Sequence, residues 1–505
     1  MAPEPPTPTP HTTSDRSRGW LRYLHRKAFT PDNWNKGGQP LEWWDDRSTP
    51  PMLNFCRFDL LDSSYAIALM ADKTPAWREV YAGILDQLVE RHTTYHSAID
   101  WLTQIGHDPK RASYPDEYRG LIPAEHWGNY DAPGWTANGI EPWGLQMDPV
   151  GADGNLFYKG FFLLILGLHR YVSGDDKWNQ PFDMIRDGEH TFTWSYSSIA
   201  EHLASQWRVH PEGPHCENTK IWPYCLSGAG LGLMMHDTLF GTKHHDVFDT
   251  WWEHALKNYM AFTPAGVPEW VALYYDPIID HVQSGGPMGG VPMALYLAPQ
   301  RRDIAYRFYD FAANVLGLRA PEQQIPVLPD RRGNVLAQGL ATEFGDTIAK
   351  ARLDELAERA LEPTWNGGEF TWGFGLKEPF PRGQMNATMM VGEAGGEGAW
   401  WRLFNEPNLK KFDQPTVVGV DFPTLGMSEA HYDETTRTLS LTTDMGDDAA
   451  KGRAAWFRVQ NIREPQRCRM TCDGSEFTNW WTLPNGEIQI ATDINIHAFR
   501  IVEGA

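Results

Sequence analysis

The chain has 505 residues, with 65 Asp and Glu against 44 Lys and Arg. The net charge of −21 disfavours nucleic acid and anionic membrane surfaces as partners. The length predicts two domains, no apolar run reaches the roughly 18 residues of a membrane span, and the Pro- and Thr-rich opening lacks the apolar core of a signal peptide.

Residues 1–17 read as a disordered polar tail. A helical pattern follows, interrupted by short polar turns with a second helical pattern after each. The turns are Ala71–Trp77, Ser173–Trp178, Phe240–Asp246, Ala298–Asp303, Phe344–Ile348 and Asn405–Asn408. Helix pairs cannot bury their apolar faces alone, but stacked pairs can. Six such hairpins predict a mainly α fold, an (α/α)6 toroid or barrel, over residues 18–412. Residues 103–150 are rich in Gly, Pro, Trp and Asp without a sustained period, and a loop of that length predicts a functional cover over one mouth. It holds His107, Glu125, His126, Trp127, Trp143 and Asp148.

Two of only five cysteines, Cys216 and Cys225, stand nine residues apart in one aromatic loop. The loop enters a Gly/Ala-rich helix, with Pro223 suited to its first turn. Cys225 then lies near the positive end of a helix dipole, which favours a thiolate. The pair reads either as acid and base in one cavity or as two buried apolar thiols. Glu217 is placed to orient the thiol or to cap a helix. His236 and Asp237, deeper in that helix, read as structural. Glu393 and Glu397 read either as general acid and base or as a solvated face. After Asp413 the pattern becomes period-2, with Asp473-Gly and Asn485-Gly as hairpin turns, and predicts an antiparallel β-sandwich-like domain over 413–505. Cys468 and Cys472 fall there with no Cys/His pair nearby in sequence, which argues against zinc. No phosphate loop, His-Glu-x-x-His or Asp-rich metal motif is found, so no cofactor and no metal are expected.

Residues 154–246 resemble the linalool dehydratase/isomerase family. The shared stretches are Asn155-Leu-Phe-Tyr-Lys-Gly160, Gly167-Leu-His-Arg-Tyr-Val-Ser-Gly174, Cys216-Glu217 with Cys225, and Met235-His-Asp-Thr-Leu-Phe-Gly-Thr242. Similarity extends from Leu41-Glu-Trp-Trp and Ser48-Thr-Pro50 to Pro379-Phe-Pro and Leu403, leaving the β-domain outside. The resemblance implies an (α,α)6 barrel and cofactor-free hydration, dehydration or isomerisation of terpene alcohols. It also implies a share in proton transfer for Cys216 and Cys225, and places Tyr158 in the matching motif. Several polar positions of the family differ. Phe161 stands where the family has His, Cys56 and Gly286 where it has Tyr, and His25 aligns with its catalytic Asp. A more apolar cavity and a substrate other than linalool follow.

The candidate catalytic residues are therefore Cys216, Cys225, Glu217, Tyr158 and His25. The candidate substrate-binding residues are Phe161, Trp222, Tyr224, Cys56, Trp44 and Asp148. The expected function is a cofactor-independent lyase or isomerase (a dehydratase, hydratase or cyclase) for a small apolar, terpenoid-like molecule. A polysaccharide lyase or glycosidase of (α/α)6 plus β-sandwich architecture is the alternative, and a non-catalytic scaffold the third reading. Sparse cysteine suggests the cytoplasm, and a homo-oligomer is compatible with the sequence.

Overall fold

The computed structural model describes residues 11–31, 44, 46–47, 53–54, 56–93, 103–104, 135–136, 140–141, 144–145, 148–151, 155–185, 191–216, 220–277, 280–329, 331–376 and 381–504. Most of the expected 103–150 cover, and Glu217, lie outside the described residues.

Helix α1 (Asp15–Phe29) starts inside the stretch expected to be tail, because Ser14 accepts the Ser17 N–H as its N-cap and Asp15 complements the positive end. Then come α2 (Cys56–Lys73), α3 (Glu79–His92), α4 (Leu156–Ser173), α5 (Tyr196–Val209), α6 (Pro223–Phe240) and α7 (Asp246–Asn258). The helical part continues with α8 (Ala294–Gln300), α9 (Arg302–Val315), α10 (Arg332–Glu343), α11 (Thr347–Ala360), α12 (Arg382–Ala394) and α13 (Ala399–Asn405).

Two kinds of helix alternate. Helices α2, α4 and α6 are buried nearly all round, whereas α7 and α9 bury one stripe each. The buried kind pack in order, α2 on α4, α4 on α6, α6 on α8, α8 on α10, α10 on α12, and α12 back on α2. Outside them, α3 packs on α2 and α4, α5 on α4 and α6, α7 on α6, α9 on α8 and α10, and α11 on α10. The α4–α6 contact is close because both helices present small residues. A Cβ at Gly160 would meet Ala229 at 2.5 Å, and one at Gly232 would meet the Gly160 carbonyl at 2.9 Å.

Five of the six predicted turns separate helical segments in the way the pattern implies. The sixth, Asn405–Asn408, does not join a helix pair. It ends α13, and the outer partner of α12 is α1, from the opposite end of the helical part. Gly395 ends α12, and α13 then folds across the ring rather than outside it, touching α2, α6, α8 and α10. The buried Glu343 carboxylate accepts the Trp400 N–H at 3.0 Å and the Arg302 guanidinium at 2.6 Å. The Trp400 indole donates to the Leu295 carbonyl at 2.9 Å. Short antiparallel pairs inside the helical part went unforeseen: 182–185 with 191–194, 363–366 with 369–372, and a three-stranded sheet of 260–262, 268–276 and 281–284.

The C-terminal part is two antiparallel sheets. One runs in the order 416–418, 454–460, 488–493, 480–482, and the other 425–433, 438–445, 498–502, 469–472, 475–476. Phe457, Val459, Ile488 and Ile490 of the first, and Leu439, Leu441, Phe499 and Ile501 of the second, are fully buried. The sheets dock on the α1–α3 side, where Arg18 and Arg22 both reach Asp444 and the Val417 N–H donates to Ala76 at 2.7 Å.

Candidate functional site

The amino ends of the inner helices share one mouth, and a cavity of about 770 Å³ opens there. Phe58, Asp62 and Tyr65 of α2, Trp222 and Tyr224 at the start of α6, and Leu295 and Tyr296 of α8 form much of its wall. Arg332 and Leu336 of α10 and Gln384 and Thr388 of α12 complete it, with Ala272 and Leu273 at the rim. The surface is mainly aromatic and aliphatic, with a few converging polar groups, the usual make-up of a small-molecule site.

Those polar groups form one cluster. The Tyr65 hydroxyl donates to that of Tyr296 at 3.3 Å, which lies 3.2 Å from the Tyr224 hydroxyl. Thr388 donates to Asp62 at 3.2 Å, and Gln384 bonds the same carboxylate. Burial pushes the Asp62 carboxyl up to about 7, the nearby Asp59 charge adds to the rise, and the two hydrogen bonds oppose it. Burial likewise raises all three tyrosines, and the Asp62 charge adds to each. A carboxyl that titrates near neutrality beside neutral phenols can give or take a proton at physiological pH. The Trp222 indole N–H is buried without an acceptor among the described residues.

The two thiols lie at inner-helix amino ends. The Cys216 sulfur accepts the Phe157 N–H at 3.2 Å, in the first turn of α4, where an orphan donor needs a partner. Cys225 is the third residue of α6, behind Trp222 and Tyr224, and both cysteines are buried. Neither is among the described residues lining the cavity. The Ile221–Tyr275 backbone pair and the Cys216 N–H to Lys220 bond at 2.8 Å hold the intervening loop.

Other candidates are placed away from the cavity or behind its wall. His25 lies on the outer helix α1, its ring 4.6 Å from Phe29 and 4.9 Å from Phe422 of the β-domain, and burial lowers its pKa. The Tyr158 hydroxyl donates to the His92 carbonyl at the end of α3. Trp44 is fully buried, with the Lys27 ammonium 4.4 Å from its ring centroid, and the Cys56 thiol reaches its carbonyl at 3.7 Å. Lys27 pairs with the buried Asp59. Asp148 accepts the Val150 N–H at 2.9 Å and the Trp194 indole at 3.0 Å, as a loop cap does. Asp237 likewise caps His244 and His245, at the far end of α6. Glu393 faces Arg16 rather than Glu397.

Phe161 backs the tyrosine cluster, 5.2 Å from Tyr296 and 5.8 Å from Tyr224. Gly228 makes room for it. A Cβ there would sit 2.1 Å from the Phe161 ring. Gly228→Ala should cost about 1–3 kcal/mol of stability by overpacking, read as a lowered denaturant midpoint, and Phe161→Leu in the same chain should restore most of it. An unchanged midpoint in Gly228→Ala would contradict this packing.

Sequence reasoning found Trp222 and Tyr224 but missed Asp62, Tyr65, Tyr296, Gln384 and Thr388.

Fold and cavity together define a class, a helical protein with an internal, mainly apolar cavity. Comparison with known proteins adds one sequence match. Residues 125–372, just under half of the chain, match the family model described as linalool dehydratase/isomerase. No curated protein sequence matches the chain. Two solved structures are similar to it at low identity. The endoglucanase CelQ from Clostridium thermocellum, crystallised with cellotriose, is 9% identical, with 97% of this chain and 92% of that chain covered and a TM-score of 0.37. A β-L-arabinofuranosidase from Geobacillus stearothermophilus T6 is 10% identical, with 96% and 75% covered and a TM-score of 0.24. Among the described residues, no helix is long and apolar enough to cross a membrane.

Proposed function

We propose that the closed cycle of inner helices is an (α/α)6 toroid and that the chain is a cofactor-independent lyase or isomerase. Its substrate is a small terpenoid-like alcohol or alkene held at the mouth of the ring. The observation that carries this reading is the cavity itself: aromatic walls around one buried carboxyl that titrates near neutrality. The family match supports the same reaction class.

In the dehydration direction a protonated group of the enzyme gives its proton to the substrate hydroxyl. The C–O bond breaks, and water leaves with the bonding pair. A neighbouring C–H then loses its proton to an enzyme base, and the C–H electrons become the alkene bond. Hydration is the reverse, and isomerisation returns the water at another carbon. Asp62 suits the proton-carrying role by its raised pKa, with the tyrosine hydroxyls as hydrogen-bonding neighbours. The aromatic rings favour positive charge that develops between the two steps. The Trp222 N–H leaves a donor for the substrate oxygen. Cys216 and Cys225 stand at the positive ends of α4 and α6, which favours negative charge on sulfur. We assign them a supporting share in proton handling, from outside the described lining of the cavity.

Separate Cys216→Ala and Cys225→Ala variants should fold as the parent does and lose turnover of terpenoid alcohols by about 10²-fold or more. Full turnover in both would remove the thiols from the mechanism. The glycosidase reading is less well supported by the site, because that chemistry uses paired carboxylates, and Asp62 is the one carboxylate among the described lining residues.

A further inference from the structure

Among the described residues, one group of three side chains of metal-ligand type comes together, and it lies outside the helical part. Cys472 ends the strand Arg469–Cys472 and Asp473 begins the turn into Ser475–Glu476. The neighbouring strand Ala498–Val502 pairs Phe499 with Cys472, which brings His497 alongside the turn. Asp473 is held in place by the Ala498 N–H, which donates to its Oδ1 at 2.9 Å. Its Oδ2 lies 2.8 Å from His497 Nδ1 and 3.7 Å from the Cys472 sulfur. One sulfur, one nitrogen and one oxygen thus lie within 4.8 Å of one another. The other imidazole nitrogen, Nε2, is 2.9 Å from Asp493 Oδ1.

We propose that Cys472, Asp473 and His497 form a three-ligand site for a divalent transition-metal ion of the zinc type, with Asp493 as the positioning residue. A tetrahedral zinc ion binds nitrogen and oxygen at about 2.0–2.1 Å and thiolate sulfur at about 2.3 Å, which sets the ligand atoms about 3.3–3.6 Å apart. The sulfur–oxygen spacing already meets this, and the nitrogen–oxygen hydrogen bond must open by about half an ångström. Asp493 accepting from Nε2–H fixes the tautomer that leaves the Nδ1 lone pair facing Asp473 and the thiol, the carboxylate–histidine arrangement common around bound metals. Binding releases the thiol proton to solvent, and a water takes the fourth position. The three ligands come from strand ends and a tight turn, so the ion would tie the 469–476 hairpin to the strand beside it. The sequence argued against zinc at Cys468 and Cys472 because no His or Cys lies close in sequence. The partner is His497, delivered by strand pairing, and Cys468 is not a ligand.

The test uses the full reduced chain, stripped with a chelator, dialysed and titrated with cobalt(II). The expected result is a sulfur-to-cobalt charge-transfer band that saturates at one ion per chain and is displaced by zinc. Cys472→Ser should abolish the band, while Cys468→Ser, Cys216→Ser and Cys225→Ser should retain it. Asp493→Asn, which touches no ligand atom directly, should weaken binding about 10–100-fold, with circular dichroism confirming that the sheets persist. Absence of the band in the parent, its persistence in Cys472→Ser, or its loss in Cys216→Ser or Cys225→Ser would overturn the site. None of these outcomes bears on the reaction proposed for the cavity, which the helical part forms.

Discussion

Asp62→Asn should lose turnover by about 10²–10⁴-fold, the range for removing a positioned acid or base, while gaining stability at alkaline pH. The second half follows from linkage. The folded carboxyl titrates at about 7 rather than near 3.8 as an exposed aspartate does, because burial penalises its charged form. The neutral carboxyl therefore contributes stability that is complete below pH 4 and lost as pH rises through 7. At 1.36 kcal/mol per pH unit, the parent gives up as much as about 4 kcal/mol over that window, and the amide does not titrate. Denaturation at pH 5 and pH 8.5 should show the gap between parent and variant shift in favour of the variant at the higher pH. A variant that is equally active, or one whose relative stability is the same at both values, would remove Asp62 from the centre of the site. Greater stability with lost activity is the usual mark of a group kept for chemistry rather than for folding.

Lys27→Met should destabilise the fold by about 3–5 kcal/mol. The ammonium is 2% exposed, the Asp59 carboxylate it pairs with 1%, and Trp44 covers the cation from one side. Removing the lysine charge takes away the buried cation paired with Asp59, whose carboxylate keeps the Ser63 hydroxyl at 3.4 Å but bears a larger share of the cost of burying its charge. The pair also joins the outer helix α1 to the inner helix α2. Lys27→Met with Asp59→Leu should recover much of the loss, because an ion pair replaced whole by apolar groups is often neutral. The denaturant midpoints of parent, single and double variants measure this. A single variant within about 1 kcal/mol of the parent would show that the pair is effectively solvated.

The sequence carried the architecture better than the chemistry, for a physical reason. Helix ends are local events. Gly174 and Gly241 both adopt the left-handed C-cap conformation and stop α4 and α6, so the alternation of elements could be read from turns. The sixth pair was misread because α1 and α12 are far apart in sequence and meet only when the ring closes. The same limit hid the site. Tyr224 was legible because it adjoins the cysteine loop. Asp62, Tyr65, Tyr296 and Thr388 come from three helices spread over more than three hundred residues, and no spacing rule joins them. Asp62 was also masked by its own helix, which is buried almost all round and so gives no hint of which side faces a hollow. His25 and Tyr158 were singled out by the family resemblance, and the structure gives the first to a helix–sheet contact and the second to a backbone carbonyl.

Helix α13 backs the wall of the hollow. Trp400 stands behind Tyr65, 5.1 Å ring to ring, and behind Leu295, whose carbonyl it holds. Glu343 pins the start of that helix, so this backing is part of the frame. A depth fixed in this way is a gauge. On the proposed reaction, a molecule entering between the helix amino ends would meet Tyr65, with Trp400 packed behind it, and what remains outside would depend on its length. On that reading, two homologous substrates of different length would present different carbons to Asp62.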